Sequence, residues 1–132
     1  MMKLSCCTLA YIVSTPLDEA IRRIAETGFK GVDLYTGLPH ILPSHYAAEE
    51  RKAVRKLIEG LGLELTGFAV AGGILNLGLN FSHPKKRVRD ETLQYYKDNV
   101  NLAAEIGCPL INVLPGHCLY GTSRDQGRKW NM

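Results

Sequence analysis

Five polar side chains in this 132-residue sequence have types and positions suited to binding a small molecule: Asp33, Tyr35, Arg87, Asn112 and His117. Asp33 and Asn112 each lie within a short run of β-forming residues, where they alternate with apolar neighbours. A carboxylate or amide placed in this way can bind a substrate hydroxyl, because a polar group removed from water needs a partner. The alternatives are a structural carboxylate satisfied by neighbouring strands at Asp33 and an ordinary core amide at Asn112.

The other three candidates lie near the ends of predicted elements. Tyr35 ends its β run, so its ring could line the mouth of a pocket or only pack against neighbouring side chains. His117 follows a Pro-Gly pair in a loop, where it could contact a ligand or be an ordinary solvated histidine. Arg87 belongs to a basic group at the start of a predicted helix. It could bind a phosphate or carboxylate of a sugar-like substrate, or form part of a solvated basic face.

The four cysteines predict neither a disulfide scaffold nor a zinc site. Cys6 and Cys7 are adjacent and therefore face opposite ways on a strand, and no Cys-x-x-Cys pair occurs in the sequence. We expect reduced thiols that act as small core residues of a cytoplasmic protein. Cys118, beside His117, would need a group that stabilises its thiolate before it could act as a nucleophile, and none is close in the sequence.

Three apolar stripes with helical spacing alternate with four short β-rich runs. The β-rich runs are residues 3–8, 31–35, 63–68 and 110–114. The stripes are Leu17, Ala20, Ile21, Ile24 and Ala25, then Val54, Leu57, Ile58 and Leu61, then Val88, Thr92, Tyr96, Val100 and Ala103. A glycine predicts the end of each helix: Gly28, Gly62 and Gly107. The first helix is expected to start at Pro16, with Thr15 as its cap and Asp18 completing an approximate capping box.

Helices between consecutive short strands favour right-handed crossovers and a parallel sheet. The longer loops, residues 36–44, 71–84 and 116 onward, follow strands, and the loops after strands gather at the carboxyl edge, where ligands bind. Four strands in 132 residues are half of a closed (β/α)8 barrel of about 250 residues. The sequence therefore predicts an α/β fold: one domain over residues 1–132, forming the N-terminal half of a (β/α)8 TIM barrel and truncated after strand four.

Three stretches resemble the xylose-isomerase-like TIM barrels, a superfamily of sugar-phosphate isomerases and epimerases: GFKGVDLY at residues 28–35, LNLGLNFSHPKKRVR at 75–89 and NLAAEIGCPLINVLPGH at 101–117. The resemblance implies an enzyme that moves a proton next to the carbonyl of a sugar or sugar phosphate, through an enediolate. It also implies one divalent metal (Mn, Mg, Co or Zn) held by Glu, Asp and His side chains from strands five to eight. Those strands are not in this sequence, so we assign no catalytic residue and no metal ligand, and expect no cofactor on this chain alone.

The same superfamily contains DNA-repair AP endonucleases, which add zinc-binding histidines at the ends of strands three and four. Val70 and Leu114 occupy those positions here, and neither side chain can bind zinc. The formal charge of +3 falls short of the basic surface of a nucleic-acid binder, and no apolar run reaches the roughly 18 residues that span a bilayer. We expect a small sugar or sugar-phosphate partner, no nucleic acid and no membrane.

Two other interpretations stay open on the sequence alone. The chain could be a non-catalytic half-barrel that folds only by pairing with another half, or an open α/β module that binds a small molecule. The second lacks a phosphate-binding glycine motif, since neither G-x-G-x-x-G nor G-x-x-x-x-G-K occurs. A half-barrel leaves two edge strands unpaired, so self-association is expected. The gene sequence downstream of Met132 would discriminate, because the isomerase needs four more strands that carry Glu and His.

Overall fold

A computed structural model of the chain describes residues 4–70, 78–119 and 121–131. The elements in chain order are β1 (Ser5–Cys7), a 3-10 turn (Thr8–Tyr11), α1 (Leu17–Glu26), β2 (Gly31–Thr36), α2 (Ala48–Gly60), β3 (Glu64–Val70), α3 (Lys86–Ile106), β4 (Ile111–Asn112) and α4 (Arg124–Trp130). Lys3, which begins the predicted first strand, and residues 71–77 of the predicted long loop lie outside the described residues. The predicted alternation of strands and helices is confirmed.

The four strands form one parallel sheet in the order β1-β2-β3-β4. Each strand therefore pairs with the next one along the chain, as successive strands of a (β/α)8 barrel do. All four carboxyl ends lie at one edge of the sheet, together with the loops that follow them. The topology predicted from the sequence is confirmed, and it gathers the loops that carry the candidate residues.

The core lies between the helices and one face of the sheet. Val32 and Leu34 of β2 and Phe68 of β3 are fully buried in it. The helices contribute the apolar stripes that their spacing predicted, including Leu17, Ile21, Ile24, Val54, Ile58 and Ala103. Because neighbouring residues of a strand face opposite ways, burial of Val32 and Leu34 turns Asp33 to the uncovered face of the sheet.

Val100 was wrongly assigned to the buried stripe of α3, because its side chain is 47% exposed. Residues four apart on a helix with 3.6 residues per turn advance by about 40°, so three such steps carry Val100 about 120° away from Val88. The buried positions of α3 are Thr92, Tyr96, Asn99, Leu102, Ala103 and Ile106. The stripe thus continues by alternating steps of three and four residues.

The start of α1 also differs from the prediction. The helix begins at Leu17, Pro16 is its N-cap residue, and no side chain caps it. Thr15 is instead buried, and its carbonyl accepts a hydrogen bond of 2.9 Å from Nε2 of His40. Contact with a distant loop has therefore replaced the local cap that the sequence suggested.

β4 is shorter than predicted, with two residues in place of the five in the run 110–114. The chain leaves the sheet because the N–H of Leu114 donates to the hydroxyl of Tyr96, at 3.0 Å, and not to a neighbouring strand. Burial raises the pKa of Tyr96, and its hydroxyl faces the carbonyl of Leu114 at 3.4 Å.

α4 follows where the helix after strand four was expected. No helix within the described ranges combines the length and apolar character that a membrane span requires.

Leu34→Ala tests the assignment of the covered face. We expect it to lower the free energy of unfolding by about 2–5 kcal/mol, because a fully buried Leu leaves a cavity. Leu93→Ala removes the same atoms from the surface of α3, where Leu93 is 47% exposed, and should cost less than about 1 kcal/mol. Urea unfolding at one fixed protein concentration measures both. Equal costs would contradict the assignment.

Candidate functional site

The uncovered face of the sheet is lined by small side chains around Asp33. A Cβ atom added at Gly31 would lie 2.8 Å from Cγ2 of Thr66 and 2.9 Å from Cβ of Ser5. A Cβ atom added at Gly67 would lie 2.7 Å from Oδ1 of Asp33. Asp33 therefore lies across the neighbouring strand, in space that any side chain at position 67 would fill.

A break in strand register gives Asp33 its hydrogen-bond partner. Val32 pairs with Leu65 but Asp33 pairs with Gly67, so Thr66 is an extra residue in β3. The Thr66 hydroxyl donates to Oδ1 of Asp33 at 2.6 Å and lies 3.2 Å from the carbonyl oxygen of Val32. Among the described residues the Asp33 carboxylate has no other hydrogen-bond donor, and the residue is half-buried. One carboxylate oxygen is thus held within the sheet, and the other can accept a hydroxyl from a ligand.

Two thiols near Asp33 stay protonated at neutral pH. Burial raises the pKa of Cys7 and of Cys108, and the negative charge of Asp33 adds a smaller increase to both. No disulfide joins the four cysteines within the described residues. The expectation that they act as small core residues is wrong for Cys118, which lies exposed in the loop after β4, and the other three are half-buried. A protonated thiol is a poor nucleophile, so the geometry around Asp33 favours hydrogen bonding and not covalent chemistry.

Asn112 lies at the carboxyl end of β4 and is paired with Ala69 of β3. Its Oδ1 accepts the N–H of Val70 at 2.7 Å, and its side chain is exposed. The structure therefore does not place Asn112 as an ordinary core amide. Its side chain holds the end of β3 and lies open to the solvent at the same edge as the loops.

Tyr35 lies at the carboxyl end of β2 and is almost fully buried. It lines a cavity of about 540 Å³ between the loop after β2 and α3, together with Leu42, Leu79, Tyr95 and Asp98. Burial raises the pKa of its phenol, so the hydroxyl stays neutral. A neutral phenol at the wall of a cavity can both donate and accept a hydrogen bond.

Asn80 is the polar residue of this edge that the sequence analysis missed. It is buried, and its side chain donates through Nδ2 to the carbonyl of His117 at 2.7 Å. Its Oδ1 accepts the N–H of Ser82, and its own N–H donates to Oγ1 of Thr92, both at 2.8 Å. Asn80 thereby ties the loop after β3 to the loop after β4. A local sign was present, because an asparagine two residues before a serine can form an Asx turn.

His117 is held by its backbone and free in its ring. Asn80 fixes its carbonyl, while the side chain is exposed. The preceding Gly116 has φ +94°, and a Cβ atom added there would lie 2.0 Å from Oδ1 of Asn80. Only glycine fits this position beside Asn80. The backbone of His117 is thus anchored at the carboxyl edge, and its exposed ring is accessible to a ligand.

Arg87 lies apart from the other four candidate residues, on the exposed surface of α3. Its side chain is 87% exposed and its Nε donates to Glu91 at 2.8 Å, one turn along α3. The structure places Asp33 on the uncovered face of the sheet. It places Asn112, Tyr35 and His117 at the carboxyl edge. Arg87 faces the solvent, where a pair of this kind adds little to stability.

Gly116→Ala tests the Asn80 junction. We expect it to destabilise the protein by about 1–3 kcal/mol more than Gly121→Ala, because only the first displaces the Asn80 amide from its hydrogen bonds. Gly121 has φ +83° but no atom within 4 Å of an added Cβ, so Gly121→Ala introduces backbone strain without a steric clash. Urea unfolding compares the two variants, and amide exchange at Ser82 should accelerate only in Gly116→Ala. Equal destabilisation would show that the junction contributes nothing.

Comparison with solved structures identifies this arrangement as half of a TIM barrel. A D-psicose 3-epimerase solved in the presence of D-fructose matches with a TM-score of 0.72 at 15% identity, over 98% of this chain and 45% of that chain. A D-tagatose 3-epimerase-like protein matches with a TM-score of 0.73 at 20% identity, over 98% and 45%. The apo 3-keto-D-glucoside 4-epimerase from E. coli matches with a TM-score of 0.68 at 19% identity, over 99% and 48%.

The chain thus spans about half the length of the solved structures it matches. At these identities the match shows the fold, and the predicted N-terminal half of a (β/α)8 barrel is confirmed. No curated protein matches the sequence. The sequence model of one family, described as the xylose isomerase-like TIM barrel, matches residues 21–132. Since that match covers most of the sequence, the chain belongs to the xylose isomerase-like TIM barrel family.

Proposed function

We propose that this chain forms the first half of the substrate site of a sugar or sugar-phosphate isomerase or epimerase. Such an enzyme moves a proton next to a carbonyl, through an enediolate. The observation that carries the proposal is the Asp33 carboxylate, with one oxygen held by Thr66 and the other open on the uncovered face. The sugar epimerases of the same fold add support, because their barrels include a half like this one.

Each polar group at the edge then has a role that its geometry permits. Asp33 accepts a hydrogen bond from a substrate hydroxyl. Thr66 donates to one of its oxygens, so a hydroxyl-rich ligand can supply the donor for the other. Tyr35 offers a neutral phenol at the cavity wall, and the exposed amide of Asn112 offers a donor at the end of β4. These groups bind and orient a sugar.

The residues of this chain do not fit a divalent metal site. Within the described ranges no group of three or more His, Cys, Asp and Glu side chains lies close enough to hold an ion. Asp33 is already engaged by Thr66 and has no second carboxylate or imidazole as a neighbour in such a group. We therefore derive no step through a metal, and any metal of this enzyme would be held by side chains from strands that follow these four. The chain by itself is proposed to be inactive.

The proposed partners and compartment follow from the same residues. Four free thiols support a reducing compartment, for which we propose the cytoplasm. Val70 is buried at the end of β3, which supports the exclusion of a zinc-dependent nuclease. A small sugar or sugar phosphate is the proposed ligand.

Asp33→Asn tests the role of this carboxylate in an intact barrel that carries these same residues. We expect turnover of a ketose to fall by about tenfold or more, because the neutral amide binds a hydroxyl more weakly. The melting temperature should change by less than about 4 °C, since the Thr66 contact persists. Turnover is measured in D2O as deuterium incorporated next to the sugar carbonyl.

Asp90→Asn is the matched control, because Asp90 lies on the exposed surface of α3 and pairs with Lys86 at 2.8 Å. It should leave turnover unchanged. A large loss of stability in Asp33→Asn with unaltered kinetics would establish the structural role alone. An intact barrel that exchanges no deuterium into any ketose or ketose phosphate, with Mn2+ present, would overturn the proposed function.

We also propose that the isolated chain self-associates. The outer sides of β1 and β4 pair with no strand within the described residues. Apolar side chains lie exposed beside them, with Leu4 61%, Leu110 64% and Val113 53% exposed. Unpaired parallel edges are templates for a second chain, and the uncovered face of the sheet adds area that association can bury.

Light scattering across a dilution series measures this association. We expect a mass above 14.6 kDa that falls on dilution. The double variant Leu110→Lys/Val113→Lys should shift the chain toward the monomer, because lysine blocks edge pairing. Val13→Lys/Leu38→Lys adds the same charge at exposed apolar positions outside the strands, between β1 and α1 and between β2 and α2, and should leave the association unchanged. A concentration-independent 14.6 kDa species in the unmodified chain would refute the proposal.

A further inference from the structure

A second cavity, of about 540 Å³, lies between α4 and the loops after β3 and β4. Its lining includes the basic side chains Arg124 and Arg128, the buried Ser82, and Asn131. The cavity shares Gly116 with the Asn80 junction, and it therefore borders the edge at which His117 is anchored. None of the five residues selected from the sequence lines it.

This end of the molecule holds the excess positive charge of the chain. Residues 82–91 and 124–130 contain seven Lys and Arg against three Asp and Glu, a net charge of +4 where the whole chain carries +3. Three of the seven are already engaged. Lys86 and Arg87 pair with carboxylates one turn along α3, and Arg89 stacks on Trp130 with its guanidinium carbon 4.8 Å from the ring centroid.

Arg124 and Arg128 have no carboxylate partner anywhere in the described part of the chain. They are one turn apart on α4, so their side chains leave the same side of the helix toward the cavity they both line. Two guanidinium groups at one cavity form a site for a doubly charged anion, because each offers a planar fork of donors that matches phosphate oxygens.

Ser82 supplies an independent sign of a ligand. Its Oγ is buried and accepts a hydrogen bond of 2.6 Å from Nδ2 of Asn131. The hydroxyl donates no hydrogen bond to any described residue, and Ser82 is one of the residues that line the cavity. A buried hydroxyl that lacks an acceptor is satisfied when an anionic oxygen enters beside it.

The walls of this cavity are fixed. Gly127 brings α4 against the loops so closely that an added Cβ would lie 2.8 Å from Sγ of Cys118. Asn131 bonds both Ser82 and the carbonyl of Gly127, and Trp130 carries the Arg89 guanidinium. A rigid wall loses little entropy when an ion binds, which favours a site of defined geometry.

We infer that this cavity binds the phosphate group of a phosphorylated sugar, through Arg124, Arg128 and the hydroxyl of Ser82. The inference rests on the proposed function for its biological meaning, and within that function it selects sugar phosphates over neutral sugars. Anion binding itself is a property of this chain alone.

Titration with inorganic phosphate tests the site, at constant ionic strength with chloride as the replaced anion. Trp130 is the only tryptophan and neighbours the cavity, so its fluorescence reports on binding. We expect a saturable change with half-saturation on the order of millimolar, and a matching rise in the thermal midpoint. Arg124→Gln/Arg128→Gln should weaken binding by roughly tenfold or more, since it removes the charged donors.

Lys85→Gln/Lys129→Gln removes the same charge from the same end but from residues that do not line the cavity. It should change the affinity by less than about twofold at this ionic strength. Equal weakening by the two double variants would overturn the inference, because it would show a diffuse charge effect. Absence of any phosphate-specific response in either fluorescence or thermal midpoint would overturn it as well.

The inference and the proposed function fail separately. If phosphate does not bind, this subsite is wrong, and an intact barrel that turns over neutral ketoses keeps the proposed function. If phosphate binds through Arg124 and Arg128 but no intact barrel exchanges deuterium into any ketose, the subsite stands and the sugar function fails. Turnover of a ketose phosphate that falls in Arg124→Gln/Arg128→Gln, with neutral ketose unaffected, supports both.

Discussion

The two faces of the parallel sheet are covered unequally, and this asymmetry determines where the candidate residues of the strands can lie. Helices bury Val32, Leu34 and Phe68 on one face, which fixes the alternation of each strand. The other face then receives the intervening residues, and it tolerates the Asp33 carboxylate because Gly67 leaves space and Thr66 donates a hydrogen bond. The covered face thus stabilises the fold, while the uncovered face is available for chemistry.

At the carboxyl edge, the described parts of the loops after β3 and β4 pair with no strand, so other contacts must fix their positions. The buried Asn80 provides these contacts: its side chain bonds both loops, and its backbone N–H donates to Thr92 in the first half of α3. Gly116 lies so close to Asn80 that the two loops are packed directly against each other. The anchored backbone of His117 and the wall of the Arg124 cavity both depend on this junction, so two possible ligand contacts are set by one amide.

Local patterns in the sequence were enough to predict the strands, the helices and their parallel order, because alternation and helical spacing are local properties. The position of Asp33 followed from its apolar neighbours, but its partner did not, since the extra residue Thr66 in β3 has no sequence signature. The Asx turn of Asn80 could be predicted locally, but its contact with His117 could not, because that contact spans 37 residues. Arg87 was selected for its charge alone, and the carboxylate one turn along α3 had already engaged it.

The distribution of charge suggests which functions, substrate binding or proton transfer, each half of such a barrel would supply. The uncovered face of this half has one carboxylate with a single donor and no cluster of metal-ligating side chains among its described residues. The end formed by residues 82–91 and 124–130 has a surplus of positive charge and two guanidinium groups that pair with no carboxylate in the described part of the chain. Under the two proposals above, the Asp33 carboxylate of β2 and the anion site between α4 and the loops after β3 and β4 would bind different ends of a polar substrate. They cannot by themselves invert a carbon centre, which requires a base on one side of the substrate and an acid on the other. The groups of this half therefore fit binding and orientation, and the proposed function assigns proton transfer to residues outside this chain.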